Sequence, residues 1–178
     1  MPADVRALLI ARIDQFPKQI KDIILSASAL GREFDLQVLG MIVGDQNLRD
    51  NLGFVEAGAV WVELDDGRYM FKNNLLKDAA YRMQIHTRRQ ELHVLALNAL
   101  EQVYAEDLGP HSFELAYHAE QGALEDKACR YLQNAGDLAA ESYNNDLAID
   151  AFSRALKFIP EDALEMRFSV IKRREKTC

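Results

Sequence analysis

Residues Phe71 to His93, FKNNLLKDAAYRMQIHTRRQELH, decide how this chain is read. Just before them the sequence alternates with a period of two, the mark of strands. After them the apolar residues recur at three-and-four spacing, the mark of helices. A helix is predicted from about Asn74, with Ala79, Ala80 and Met83 on a tight face and Tyr81 on an aromatic one. Asn73 stands just ahead of it, where a short amide side chain suits an N-cap. The stretch is therefore a junction between a mixed region and an all-helical one.

Upstream, AVWVEL and RYMF alternate on either side of Asp66-Gly67, the dipeptide of a tight hairpin turn. Val60, Val62 and Leu64 are expected to face one side and Trp61 the other. Earlier still, Val5, Leu8, Leu9, Ile13 and Phe16 form a helical stripe that Pro17 stops. A second helix is predicted from Pro17 as its first position, lined by Ile20, Ile23, Ile24, Ala27 and Leu30, with Gly31 as a left-handed terminator. The small residues of SASAL suit close approach to a neighbouring helix. Glu33-Phe34 reads as a short extended link. Asp35 is an N-cap for a helix through Leu36, Val38, Leu39 and Ile42 that ends at Gly44. Asp45 caps the next, where Leu48, Leu52 and Val55 sit at i, i+4 and i+7 before Gly58. Helices followed by a β-hairpin are the winged-helix layout.

Downstream, Leu92, Leu95, Ala96, Ala99, Leu100, Val103 and Tyr104 mark a longer helix, broken by Gly109-Pro110. Gly136, Ala148, Phe152, Ala155 and Pro160 then fit one tetratricopeptide (TPR) repeat over about residues 129 to 162. Small residues let two antiparallel helices approach, Phe152 fills the gap, and Pro160 ends the second helix. Residues 112–122 and 124–140, with Ala116, Ala128 and Leu132 at similar offsets, read as a degenerate repeat. The expected fold is mainly α: a winged-helix domain with trailing helices over 1–108, then TPR-like antiparallel helix pairs over 109–178. The ending in KRREKTC, inside a helical pattern, suggests part of a longer protein.

Bulk composition excludes several classes. Of 178 residues, 49% are hydrophobic and 28% charged, as in an ordinary folded protein. A net charge of −7 argues against a surface that coats nucleic acid or binds membranes through basic clusters. No apolar run approaches a spanning length, and Arg6, Arg12 and Asp14 interrupt any signal-peptide pattern. Cys129 and Cys178 form no paired motif and are expected as reduced thiols in a cytoplasmic protein.

No catalytic residue is nominated. The chain has no GxxxxGK[ST] loop, no HExxH and no paired-cysteine metal spacing. His86 and His93, like His111 and His118, are seven residues apart, about 10 Å along a helix and too far to share a metal ion. Surface or interface positions are expected for them, and Asp65-Asp66 is ordinary turn chemistry. A DNA-reading helix would run from Gln46 to Ala57 with a wing from Asp65 to Arg68. Between Asp45 and Arg68, however, Asp45, Asp50, Glu56, Glu63, Asp65 and Asp66 outweigh Arg49 and Arg68. Nucleic acid is therefore not the expected partner. Lys77, Arg82, Arg88 and Arg89 form a basic cluster that reads as a solvated or partner-facing surface. Lys72 and Asn73 stand at a helix start, where free N–H groups and the helix dipole favour an anion such as a nucleotide phosphate.

FKNNLLKDAAY resembles the FRHALLQEAAY segment that follows the winged helix in signal-transduction ATPases with numerous domains, the STAND class. DVRALLIARIDQFPKQIKDIILSASALGREF is similar to the family's "V..LL.ARID.LP" and "A..LG.EF" entry, and RRQELH and YHAEQG follow in the family's order. The resemblance spans about residues 3 to 160, and is greatest for members attached to class III adenylate/guanylate cyclases and to large maltose-regulator-like transcription activators. It implies an ATPase domain upstream that binds ATP or ADP, with this chain as a non-catalytic regulatory arm contacting that domain and, through its repeats, other proteins. It also implies a phosphate-sensing histidine at the helix start. Here that position is Asn73, which can hydrogen-bond but cannot carry the imidazolium charge.

Overall fold

The computed structural model describes residues 3–45, 48, 52–53, 55, 60–65 and 67–177. The chain is mainly helical, with a small three-stranded antiparallel sheet, and divides into two compact units, Met1–Ala99 and Leu100–Cys178.

In the first unit, α1 (Ala3–Asp14) and α2 (Lys18–Leu30) are separated by Pro17. Pro17 is the N-cap of α2, with φ −51° and ψ 148°, so the helix starts one residue later than expected. Ile20, Ile23, Ile24, Ala27 and Leu30 are buried as the stripe requires. Ser26 and Ser28 are buried too. Gln84 reaches α2, its Nε2 donating to Leu25 O at 3.0 Å and to Ser28 Oγ at 3.3 Å. The small SASAL residues leave room for that approach. Gly31 is not a left-handed terminator: φ 133° and ψ −160° are extended backbone of a kind that favours glycine, and they turn the chain directly into a strand.

That strand, β1 (Glu33–Asp35), pairs with β3 (Arg68–Phe71), which in turn pairs with β2 (Trp61–Asp65). The expected link is thus a third strand. The hairpin is where alternation placed it, with Trp61 on one face and Val62 and Leu64 on the other, as expected. Trp61 lies opposite Phe71, and Tyr69 lies opposite both Phe34 and Glu63, so the aromatic residues share one face. Phe34, Trp61, Tyr69 and Phe71 are all buried. The Phe34 and Trp61 rings meet edge-on at 4.9 Å, and Trp61 and Phe71 at 5.7 Å. Val62 is half-buried and Leu64 is 43% exposed. Aromatic burial, the larger apolar area, makes the Trp61 face the inward one.

Asp35 caps α3 (Leu36–Val43), its Oδ1 accepting from Gln37 N at 2.6 Å and Val38 N at 3.4 Å. Gly44 ends the helix in the left-handed conformation, φ 68°. Leu48, Leu52 and Val55 are helical and buried, in keeping with their spacing. Most of the expected reading helix Gln46–Ala57, Gly58, Asp66 and Cys178 lie outside the described residues. α4 (Asn74–Met83) and α5 (His86–Val103) follow, and the division between the units falls inside α5.

The second unit continues with α6 (Ser112–Gln121), α7 (Glu125–Glu141), α8 (Asn145–Ala155) and α9 (Leu164–Lys176). Pairs α6–α7 and α7–α8 are joined by turns that repeat each other at a spacing of twenty residues. Ala123 and Tyr143 are the two non-glycine residues with positive φ among the described residues, 55° and 58°. The following N-caps, Leu124 and Asn144, have φ −99° and −93°. Their N–H groups donate to Ala119 O at 2.9 Å and Ala139 O at 2.8 Å. A left-handed L-residue costs about 1–2 kcal/mol. Tyr143 is 92% exposed, so its side chain contributes little packing in return. Tyr143→Gly is therefore expected to raise the thermal midpoint of the second unit, with a gain of about 1 kcal/mol in urea denaturation followed by circular dichroism.

Within the α7–α8 pair, Gly136 faces Phe152. A Cβ built on Gly136 would lie 2.6 Å from the Phe152 Cε1, closer than carbon atoms pack. Ala148, Ala151, Phe152 and Ala155 are all buried. α8 stops at Ala155, short of Pro160, because Lys157 N and Phe158 N turn to Arg154 O and Ala155 O in tighter three-residue steps.

Candidate functional site

The helix start at Asn73 is fixed by the sheet. Phe71 N donates to Arg32 O and Lys72 N to Val60 O, both at 2.9 Å, which delivers the chain to α4 in extended conformation. Asn73, at φ −136° and ψ 116°, caps α4: its Oδ1 accepts from Leu75 N at 2.8 Å and Leu76 N at 3.4 Å. Lys72, Asn73, Asn74 and Leu75 are exposed. The side chain of Asn73 thus takes two helix N–H groups that an anion would otherwise bind. An incoming phosphate would find the Asn73 amide N–H₂ and the Lys72 ammonium. Asn73→Ala is expected to destabilise the first unit by about 1 kcal/mol and Asn73→Asp to leave it nearly unchanged, read from the emission of Trp61 in urea.

The basic cluster of the sequence is distributed. Lys77 pairs with Asp78 at 3.0 Å and Arg88 with Glu91 at 3.1 Å, while the Arg89 guanidinium lies 5.1 Å from the Tyr81 ring centroid. Arg82 is exposed, with no ion pair among the described residues.

Two of the four histidines are core residues, contrary to the surface expectation. His93 is buried on α5, and its Nε2 is 2.8 Å from Tyr81 Oη. Burial, reinforced by the Arg89 charge, lowers its pKa from 6.5 to about 4, so the ring is neutral at pH 7. His118 is fully buried on α6, edge-on to Tyr117. His86 is exposed, and the His111 ring stacks on Tyr104 at 3.6 Å. No cluster of three or more His, Cys, Asp or Glu side chains suited to a metal ion occurs among the described residues. Cys129 is a buried free thiol that accepts from Gln133 Nε2 at 3.2 Å.

In the second unit, polar side chains tie non-adjacent segments together. Glu101 accepts from Tyr131 Oη at 2.5 Å and from Lys127 Nζ at 2.6 Å. Burial alone would raise the Glu101 pKa, but these two hydrogen bonds outweigh it and hold the carboxyl below its usual value. Tyr131 is raised in turn, by burial and then by Glu101. Arg154 joins Glu120 on α6 to Asp150 on its own helix, and the Glu120 hydrogen bond raises its pKa. Arg173 donates to Asp137 at 2.6 Å and to Gln133. Asp137 is nevertheless raised, burial outweighing the Arg173 charge and Glu141 adding repulsion.

Two open grooves flank α7. One, of about 500 Å³, is lined by Leu108, Ser112, Tyr131, Asn134, Leu138 and Glu141 among others. The other, of about 440 Å³, lies between α7 and α9 and includes Cys129, Gln133, Phe158, Pro160 and Met166. They are shallow surfaces with mixed polar and apolar edges. The partners that Glu101, Arg154 and Arg173 hold on other segments lie 26 to 40 residues away in sequence, so no local motif signals these ties. None of the described helices is long and apolar enough to cross a membrane. Comparison of the chain with protein-family models, with curated proteins and with solved structures found no match.

Proposed function

We propose that this chain is a non-catalytic regulatory and protein-interaction segment of a larger signal-transduction ATPase of the STAND class, linked to an adenylate/guanylate cyclase. The observation that carries the reading is the order of parts. Helices and a sheet closed by a hairpin precede a capped helix at Asn73, and antiparallel helix pairs follow with Gly136 against Phe152. That order parallels the winged helix and TPR-like arm to which the sequence is similar. On this reading the first unit is the winged helix, which contacts an upstream ATPase domain, and the grooves beside α7 receive other proteins. Lys72 and Asn73 are the groups that would meet the phosphates of ATP or ADP held by that upstream domain. The protein works in the cytoplasm.

The direct test is the reading frame that precedes the Met1 codon. An in-frame P-loop ATPase domain is expected, with a cyclase domain in the same polypeptide. A stop codon immediately upstream, with no such domain, overturns the proposal. The purified chain alone is expected not to hydrolyse ATP.

A DNA-binding transcription regulator is the competing reading, and the hairpin speaks against it. Glu63 and Asp65 are exposed on β2, and Arg68 is held by Glu33 at 3.0 Å. A wing that grips phosphates needs free cations. A low-salt mobility-shift assay is expected to show no sequence-specific duplex binding, and a specific shift would favour the competitor.

A further inference from the structure

Large apolar side chains exposed on one helix of a folded unit mark a contact surface. On α9, Leu164 is 72% and Phe168 is 68% exposed. With the half-buried Ile171 they recur at i, i+4 and i+7, so they form a single stripe. The helix bearing them is firmly seated. Val170 and Thr177 are buried, Arg167 donates to Leu156 O and Ile159 O, and Arg173 donates to Asp137 and Gln133. The stripe lies beside that seated face and is a preformed surface.

The charges on α9 indicate what covers it. Glu161, Asp162 and Glu165 are exposed at its N-terminal end, and Lys172 and Lys176, with Glu175 between them, at its C-terminal end, none in an ion pair among the described residues. A uniformly acidic or basic partner would oppose like charge at one end. A parallel copy would set the acidic ends of the two helices side by side and put their Glu165 and Lys172 flanks on opposite sides of the seam. An antiparallel copy sets the acidic end of each helix against the mainly basic end of the other. Glu165 and Lys172, two helical turns apart, fall on the same flank of the stripe, where an antiparallel pair brings each beside the other.

We propose that the chain self-associates through α9 as a two-fold symmetric, antiparallel dimer. Leu164, Phe168 and Ile171 of the two copies interdigitate, and Glu165 of one copy lies beside Lys172 of the other. Such an interface is isologous and closes on itself. It stands independently of the proposed function.

Sedimentation velocity of the 178-residue chain over roughly 5 to 500 µM is expected to show a monomer–dimer equilibrium with a micromolar Kd. Phe168→Glu should weaken it at least about tenfold. Glu165→Lys and Lys172→Glu should each weaken it, and the two together should restore it. All three positions are exposed, and unchanged far-ultraviolet circular dichroism will show that the variants fold. A chain that stays monomeric across the range overturns the proposal, as does a dimer indifferent to Phe168→Glu. Failure of the combined charge exchange to restore association overturns the antiparallel arrangement.

Discussion

Phe152→Ala is expected to cost the second unit about 3–5 kcal/mol, measured by urea denaturation with far-ultraviolet circular dichroism. The ring is buried between α7 and α8, and its removal leaves a cavity that rigid helices cannot close. The diagnostic experiment pairs this change with Gly136→Ala. With Phe152 present, the new methyl meets the ring, and a strain of about 1–3 kcal/mol exceeds the roughly 1 kcal/mol that alanine gains over glycine inside a helix. In the Phe152→Ala background the strain is gone, and Gly136→Ala should stabilise by about 1 kcal/mol. The sign of one substitution thus depends on the other. Additive effects in the double-mutant cycle would show that the two residues do not meet.

The second large effect is a loss of stability in mild acid, carried by His93. Its folded pKa of about 4 lies below the ordinary 6.5, so between these values the unfolded chain binds the additional proton. Stability contributed by neutral His93 is therefore complete above about pH 6.5 and is lost as pH falls towards 4. At about 1.4 kcal/mol per unit, the loss approaches 3 kcal/mol. Trp61, the chain's one tryptophan, is buried in the same unit and reports the transition. Its urea midpoint should fall steeply from pH 6.5 to 4.5, and His93→Leu combined with Tyr81→Phe should remove most of that slope while keeping the site apolar. An equally steep slope in the double variant would assign the acid sensitivity elsewhere.

Local chemistry was legible in the sequence. Asp35, Gly44 and Asn73 punctuate helices through their own side chains or backbone freedom, and the structure has them doing so. The Gly136, Ala148, Phe152 and Ala155 spacing foretold a tight helix pair for the same reason, since each residue's size acts on its immediate neighbour. What depends on distant partners was not legible. β1 has only three residues, too few to show alternation, and exists through pairing with Met70, Tyr69 and Arg68. The hairpin's inward face followed the aromatic cluster, which needs Phe34 from that unseen strand. His93 looked like a surface residue until Tyr81 was found against it, and the Glu101–Tyr131 bond joins residues thirty positions apart. Of the candidate site, the helix start at Asn73 was readable, whereas the grooves beside α7 required the fold.

The repeated turns in the second unit have one more consequence. Two joints of the same geometry, twenty residues apart, would let the chain mistake one helix for the next during folding. Side-chain volumes oppose it. The residues equivalent to Gly136 and Phe152 one step earlier are Ala116 and Leu132, both buried. The first seam has the larger residue on one side and the smaller on the other, and the second seam widens that difference. If α8 docked against α6 in place of α7, Phe152 would collide with the methyl of Ala116, and Gly136 would be left with a void where the ring belongs. Each seam thus favours its own helix, by about 1–3 kcal/mol for the methyl against the Phe152 ring, through the sizes of four side chains.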